Sequence, residues 1–212
     1  LILGQIESVG SNLLAVLPGA SEEDGPPAMA FGIVSKTLIN GDLEALRDGK
    51  NIPEIIDAVG YVTGTAIAES DSEDIVASYQ GVSASLPNVE TVKVESGRFF
   101  FPDEDTRMAH IAVLGAGVSE KLFPNGNALG RTVTIKHIPF TVVGVLKKRG
   151  SGAFSNTDDL IHIPLDTAQK ELLGIRYLNY VRAKVEQAGD IGRVKTEVYR
   201  LLNQRHDIEP GQ

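Results

Sequence analysis

Apolar positions recur along this chain with two periods, one near 3.6 residues and one near two, and the two alternate along its length. Ile2, Ile6, Val9 and Leu13 are spaced four, three and four apart, which is one stripe of a helix. The stripe suits either a packed N-terminal helix or the outer end of a membrane helix continuing outward as a stalk. Gly10 would end it, and residues 12–17 then read as a buried strand closed by Pro18-Gly19. Residues 21–28 are an acidic loop with one Gly and two Pro. Asn40 is placed to cap a short helix, with Asp42 and Glu44 near its positive end, Leu43 and Leu46 facing inward and Gly49 as a stop. Residues 59–66 and 75–79 read as two strands of a hairpin around the polar turn 70–74, and 82–86 as one helical turn before Pro87.

The second half is richer in pattern. A strand is predicted over 111–114 and a short helix over 118–123, ended by Pro124-Asn125-Gly126. Thr132–Lys136 and Phe140–Lys147 form the clearest hairpin, with Val133 and Ile135 alternating with polar neighbours. Pro139 lacks an N–H and belongs at a strand start or edge, and Gly144 inside a valine run predicts a bulge or a close backbone approach. Residues 160–163 read as a strand and 167–173 as a helix capped by Asp166. Residues 177–185 read as a strand with Leu178, Tyr180 and Val185 as its apolar set, and 188–205 as a helix with Ile191, Val194, Val198, Leu201 and Leu202 on one face. Interspersed helices and hairpins predict an α+β fold over a long parallel sheet.

Composition narrows the function classes. The 212 residues suffice for one or two compact domains, and 42% hydrophobic with 23% charged residues is ordinary for a folded protein. The net charge of −8 disfavours nucleic acid and a face lying flat on anionic lipid, since both need Lys and Arg against phosphate. With no cysteine, disulfides and thiolate metal sites are excluded. No run reaches the roughly 18–20 apolar residues that cross a bilayer.

The stretch from Val94 to Pro164 carries a recognisable order of pieces. They are Gly97-Arg98-Phe99-Phe100, then Asp103 and Asp105, Ala112-Val113-Leu114-Gly115, Leu122-Phe123, Leu129-Gly130, Phe140 to Val145, and Ile163-Pro164. Upstream stand Gly10-Ser11-Asn12-Leu13-Leu14 and Pro18-Gly19, and downstream Asp166-Thr167-Ala168-Gln169 and Arg205-His206-Asp207-Ile208. Together they resemble the extracytoplasmic core domain of MacB-like ABC transporter permeases. The resemblance implies two subdomains: a porter-like βαβ-type lobe from residues 1–84 and 175–212, and a smaller inserted, Sabre-like α/β lobe from residues 85–174. It also implies a non-enzymatic domain on the extracytoplasmic side of a bacterial membrane, tethered by flanking membrane helices. Cytosolic ATP hydrolysis by a separate subunit or domain would be coupled to export of a peptide, macrolide or lipoprotein by mechanotransmission. The implied partners are a second permease copy, the ATP-binding part and, in some members, a periplasmic adaptor. The isolated domain is expected to be monomeric, with no cofactor and no catalytic or metal residues. A free-standing peptide- or lipid-binding module and a small hydrolase are the other classes the sequence leaves open.

Several constellations look chemical and read better as structure. Gly115-Ala116-Gly117 follows a strand and opens a helix as a dinucleotide fingerprint does, but Glu120 stands where the third Gly belongs and would repel pyrophosphate. None of His110, His137, His162 and His206 has a second His at helical spacing. His162, with Asp158 and Asp159 just before it, is the one conceivable hydrolytic or metal position, although a strand histidine satisfied by a neighbour explains it better. Asp103-Glu104-Asp105 does not fit a calcium loop and reads as a solvated turn in which Asp105 caps a backbone N–H and Arg98 pairs with one acid. Residues 147–152, Lys-Lys-Arg-Gly-Ser-Gly, could cradle an anion but lack the P-loop ending, and read as a hairpin extension. Ser151 has no nucleophile-elbow context. Phe154, an apolar side chain within that loop, is the candidate anchor for a partner interface.

Overall fold

The structure is a computed structural model and describes residues 6–8, 12–19, 35–149 and 157–207. In chain order the elements are β1 (Ile6–Ser8), β2 (Leu13–Val16), α1 (Asn40–Arg47), β3 (Ile55–Glu69), β4 (Asp74–Val82), α2 (Leu86–Val89), β5 (Val94–Gly97), α3 (Pro102–Thr106), β6 (Ile111–Leu114), α4 (Ala116–Leu122), β7 (Thr132–Ile135), β8 (Ile138–Leu146), β9 (Leu160–Pro164), α5 (Leu165–Thr167), β10 (Tyr180–Val185) and α6 (Ile191–Arg205). After α5 the helix continues as a π-helical turn, Ala168–Leu173, closed by Gly174 in the left-handed conformation. Contacts divide the chain into two compact units, residues 1–61 with 176–212 and residues 62–175. The second crossing, 175/176, lies one residue from the expected 174/175; the first lies at 61/62 instead of 84/85, because residues 62–69 of β3 and all of β4 group by their contacts with the second unit, which is the larger of the two.

In the first unit β10 lies between β2 and β3 and is antiparallel to both. β2 and β3 therefore run the same way, with α1 in the connection between them and β10 inserted in the middle. Leu14, Val16, Ala58, Val181 and Ala183 share one buried face by register, and α1 and α6 bury Leu43, Leu46, Val194, Val198 and Leu202. Three sequence expectations change here. Residues 6–8 are a strand paired with β2 and not a helix turn, because Ile6 to Ser8 find backbone partners in Leu14 to Val16. The residue before α1 is Ile39, and its N–H donates to Asp42 Oδ2 at 3.0 Å, so Asp42 rather than Asn40 closes the helix start. In β10 the buried set is Val181, Ala183 and Val185; of the expected apolar positions Leu178 and Val185 are buried, while Tyr180 lies on the other face and stacks on Tyr61 with ring centroids 4.4 Å apart.

In the second unit the strands close on themselves. Neighbours run β3-β4-β9-β6-β8, and β7 pairs with both β8 and the end of β3, through Ala68↔Ile135 and Glu69↔Thr134. The ring mixes parallel pairs (β4 with β9, β6 with β8) and antiparallel ones. The register puts Ala68, Tyr79, Ala112, Leu114, Val133, Ile135, Phe140, Val142 and Ile161 on one face, and all are buried. Closure removes the unpaired strand edge that an open sheet presents. The predicted 132–147 hairpin and the turn at Ser70, whose N–H donates to Glu73 O at 2.9 Å, lie within this ring. Gly144 fulfils both readings offered for it. β8 slips register against β6 at this point, and a Cβ on Gly144 would stand 2.2 Å from Arg98 O. Asp166 does not cap its helix. It is the second residue of α5, its carboxylate takes Lys170 Nζ at 2.7 Å, and its N–H donates to Asp105 Oδ1 at 3.1 Å.

Candidate functional site

The most organised polar cluster lies at the end of α6 in the first unit. The Asp42 side chain is 0% exposed. Arg205 Nε donates to Asp42 Oδ1 at 2.8 Å, and His206 Nε2 lies 2.9 Å from both carboxylate oxygens. Arg205 ends α6 and His206 is its C-terminal cap, so the last turn of one helix is tied to the first turn of another 163 residues away in sequence. Oδ2 also receives the Ile39 N–H, so both oxygens are engaged. A buried carboxylate is tolerated only in such a setting, because losing one partner leaves an uncompensated charge at a cost of roughly 3–5 kcal/mol.

A second tie holds the start of α6. Near its start Arg193 donates to Glu54 Oε1 at 2.6 Å and to Asp190 Oδ1 at 3.2 Å. The Arg193 guanidinium holds the Glu54 carboxyl below its usual range. Between the two ties the helix buries Val194, Val198 and Leu202, a spacing of four and four. α1 is tied onward to β3: Arg47 Nε donates to Ala58 O at 2.9 Å and lies 3.5 Å from Asp57 Oδ1. At the other end of the unit, Asn12 and Val185 exchange bonds, Val185 N–H to Asn12 O at 2.9 Å and Asn12 Nδ2 to Val185 O at 3.1 Å. The sequence showed Asp42, Arg205 and His206 only separately, as a helix-start acid and as part of a C-terminal motif. No local spacing could join residues that distant.

The residues singled out for chemistry are occupied structurally. Gly115 sits under the chain that precedes β9: its N–H donates to Leu160 O at 2.8 Å, and a Cβ there would lie 2.2 Å from Thr157 O. The glycines thus serve close packing of 157–160 over the start of α4. Asp158 accepts the Arg149 N–H at 3.0 Å, Asp159 takes Lys121 Nζ at 2.9 Å, and Glu120 takes Lys148 Nζ at 2.9 Å. Arg98 holds Glu104 in a two-point pair, 2.7 Å on each arm, while Asp103 pairs with Arg107 at 2.6 Å. Arg98 keeps the Glu104 carboxyl below its usual range despite partial burial. His110 contacts Glu171 at 2.5 Å and His137 lies in the β7–β8 turn at φ 67°. His162 is buried in β9, and Asp158 and Asp159 do not bond to it. Its Nδ1 has no hydrogen-bond partner among the described residues, so the satisfied-neighbour reading holds for only one side of the ring, which bonds the Val113 backbone. Burial pushes its pKa from 6.5 down to about 4. Among the described residues no group of three or more His, Asp or Glu side chains converges as a metal site. Phe154 lies outside the described residues.

Comparison with known proteins gives this arrangement its kin. The macrolide export ATP-binding/permease protein MacB of Azoarcus sp. strain BH72 is 30% identical over 212 residues, all of this chain and 31% of that protein. A protein of the same name from Chlorobaculum tepidum is 30% identical over 205 residues, 96% of this chain and 31% of that one. The chain therefore spans about a third of the length of these curated relatives, 31%. The crystal structure of the periplasmic region of MacB from Actinobacillus actinomycetemcomitans superposes with a TM-score of 0.78 at 20% identity, over 94% of this chain and 86% of that one. The extracellular domain of the noncanonic ABC-type transporter YknZ from Gram-positive bacteria gives 0.75 at 21% identity, over 93% and 96%. At those identities the likeness is one of fold, and it is the expected α+β fold. The family profile of MacB-like periplasmic core domains matches residues 1–201, and this chain belongs to that family.

Proposed function

We propose that this chain is the extracytoplasmic domain of an ABC transporter permease and works as a mechanical coupler. Membrane helices adjoin it on both sides, a cytosolic ATP-binding subunit or domain supplies the stroke, and two permease copies move against each other outside the membrane. Export of a peptide, macrolide or lipoprotein follows from that movement, with a periplasmic adaptor as a further partner, and no catalytic step falls to this chain. The observation that carries the reading is that residues 1–61 and 176–212 form one unit whose last helix is tied at both ends. A coupler needs its input segments joined in one stiff piece, since a packed core transmits displacement where a loose one absorbs it.

Under this reading the porter-like lobe, built from both chain ends, receives the stroke and the inserted lobe carries a partner contact through Phe154. The test uses the longer gene product carrying this domain, in cells stripped of their own macrolide efflux. Reporter fusions should place residues 1–212 outside the membrane with a span on either side. Replacing residues 1–212 by a short linker should abolish export while ATP hydrolysis persists. A water-soluble parent protein, or export that survives the deletion, would remove the proposal.

A further inference from the structure

We propose that Asp42 is the positioning residue that stops the end of α6 from giving way under load, so that movement delivered at the C-terminal end of α6 reaches β3. The inference rests on the function proposed above. A helix end is the softest part of a helix, because its last four carbonyls lack intrahelical partners and it opens at little cost. Helical residues rise 1.5 Å each and extended ones about 3.3 Å, so each residue that unwinds gives about 2 Å of slack. One lost turn would absorb about 6–7 Å of displacement before the body moved. In α6 the last helical residue, Arg205, and the cap, His206, both hold Asp42. Slack at this point therefore requires breaking a two-partner contact to a fully buried carboxylate.

The connection continues inward. Asp42 is bonded to Ile39 N–H within the first turn of α1, and Arg47, the last residue of that helix, holds Ala58 O on β3. β3 runs on from Ile55 to Glu69, so its far end lies in the second unit, at the turn Ser70–Glu73. The path from the end of α6 to that turn thus passes through one ion-paired carboxylate, one eight-residue helix, one guanidinium and one strand. At this end of α6 Asp42 joins both the last helical residue and the cap to α1, whereas the tie from Arg193 to Glu54 lies near the start of the helix.

The experiment uses the complete permease with its ATP-binding partner in proteoliposomes, spin-labelled through Ser72→Cys in a cysteine-free background. Ser72 lies in the exposed turn at the far end of the path. The label distance between the two copies is compared with and without ATP and vanadate, beside ATP hydrolysis and amide exchange at residues 202–206. In Asp42→Asn the nucleotide-driven change at Ser72 should fall to about half or less, with hydrolysis within about twofold of the unaltered protein and faster exchange at the end of α6. Arg205→Gln, which leaves His206 on the carboxylate, should give the same effect in smaller degree, and it decides the matter if Asp42→Asn does not fold. An unchanged Ser72 response with faster exchange would overturn the inference, since the clasp would then be structural only. If the unaltered protein shows no nucleotide-driven change at Ser72, the proposed function fails instead.

Discussion

Two buried polar side chains illustrate opposite solutions to the cost of leaving water. Asp42 is surrounded by donors, whereas His162 gives up its charge. Desolvation sets the His162 pKa at about 4, against 6.5 for the free side chain. The folded state therefore resists the proton that the unfolded chain accepts. The stability this group contributes is complete above pH 6.5 and falls as pH drops toward 4, by about 3 kcal/mol in all. Denaturant melts at pH 7.5 and pH 4.5 should differ by about 2–3 kcal/mol less in His162→Leu than in the unaltered chain. Equal differences in the two proteins would remove His162 as the source. Gly144 supports a second expectation at this scale. The space a Cβ would need there is filled by Arg98 O, a backbone atom that cannot swing aside, so Gly144→Ala should cost about 3 kcal/mol, read as a lowered melting midpoint. That glycine was legible in the sequence because a residue without a side chain weakens a valine-rich strand unless the backbone there needs the room. Asp42 was not, since burial and distant partners leave no local trace.

Among the elements, the hairpin β7–β8 and helix α6 were legible because their apolar periods are unbroken. In β10 the sequence pattern places Val185 on the buried face but misplaces Tyr180. Tyr180 and Val181 are adjacent and both apolar, and by size alone the aromatic reads as the inward one. The charged pair Arg182 and Lys184 held the answer, since their side chains must alternate with Val181, Ala183 and Val185. The first strand was hidden for a related reason: three residues cannot distinguish a helical stripe from a strand, and β1 exists only because β2 offers it a partner. α6 itself rests on three buried side chains, and Leu202 is the one nearest the clasp. Leu202→Ala should cost about 2–5 kcal/mol, with the loss appearing in amide exchange across 198–206 before it appears elsewhere. Uniform loss of protection along the helix would show instead that α6 opens as one piece.

At the level of the whole molecule, the family was legible from the order of short motifs, while the first crossing between the two contact units was not. The boundary falls inside β3, after Tyr61, where a continuous strand gives no composition change to mark it. The charge of −8 and the placement of membrane anchors outside this chain in the proposed function lead to one further expectation. Residues 1–212 alone should be monomeric at micromolar concentration by light scattering. A stable dimer would mean that these surfaces, and not the membrane part, bring two copies together.

The strand order also dictates when this chain can fold during synthesis. β2 has only the three-residue β1 for company until Tyr180 to Val185 have been made, and β4 waits for Leu160 to Pro164. Neither unit can be finished from its own early residues, so folding is dominated by distant pairings and is intrinsically slow. A ribosome halted before codon 180 would release a polypeptide with bare strand edges prone to aggregate, whereas one halted just after α6 would release a product able to complete both units.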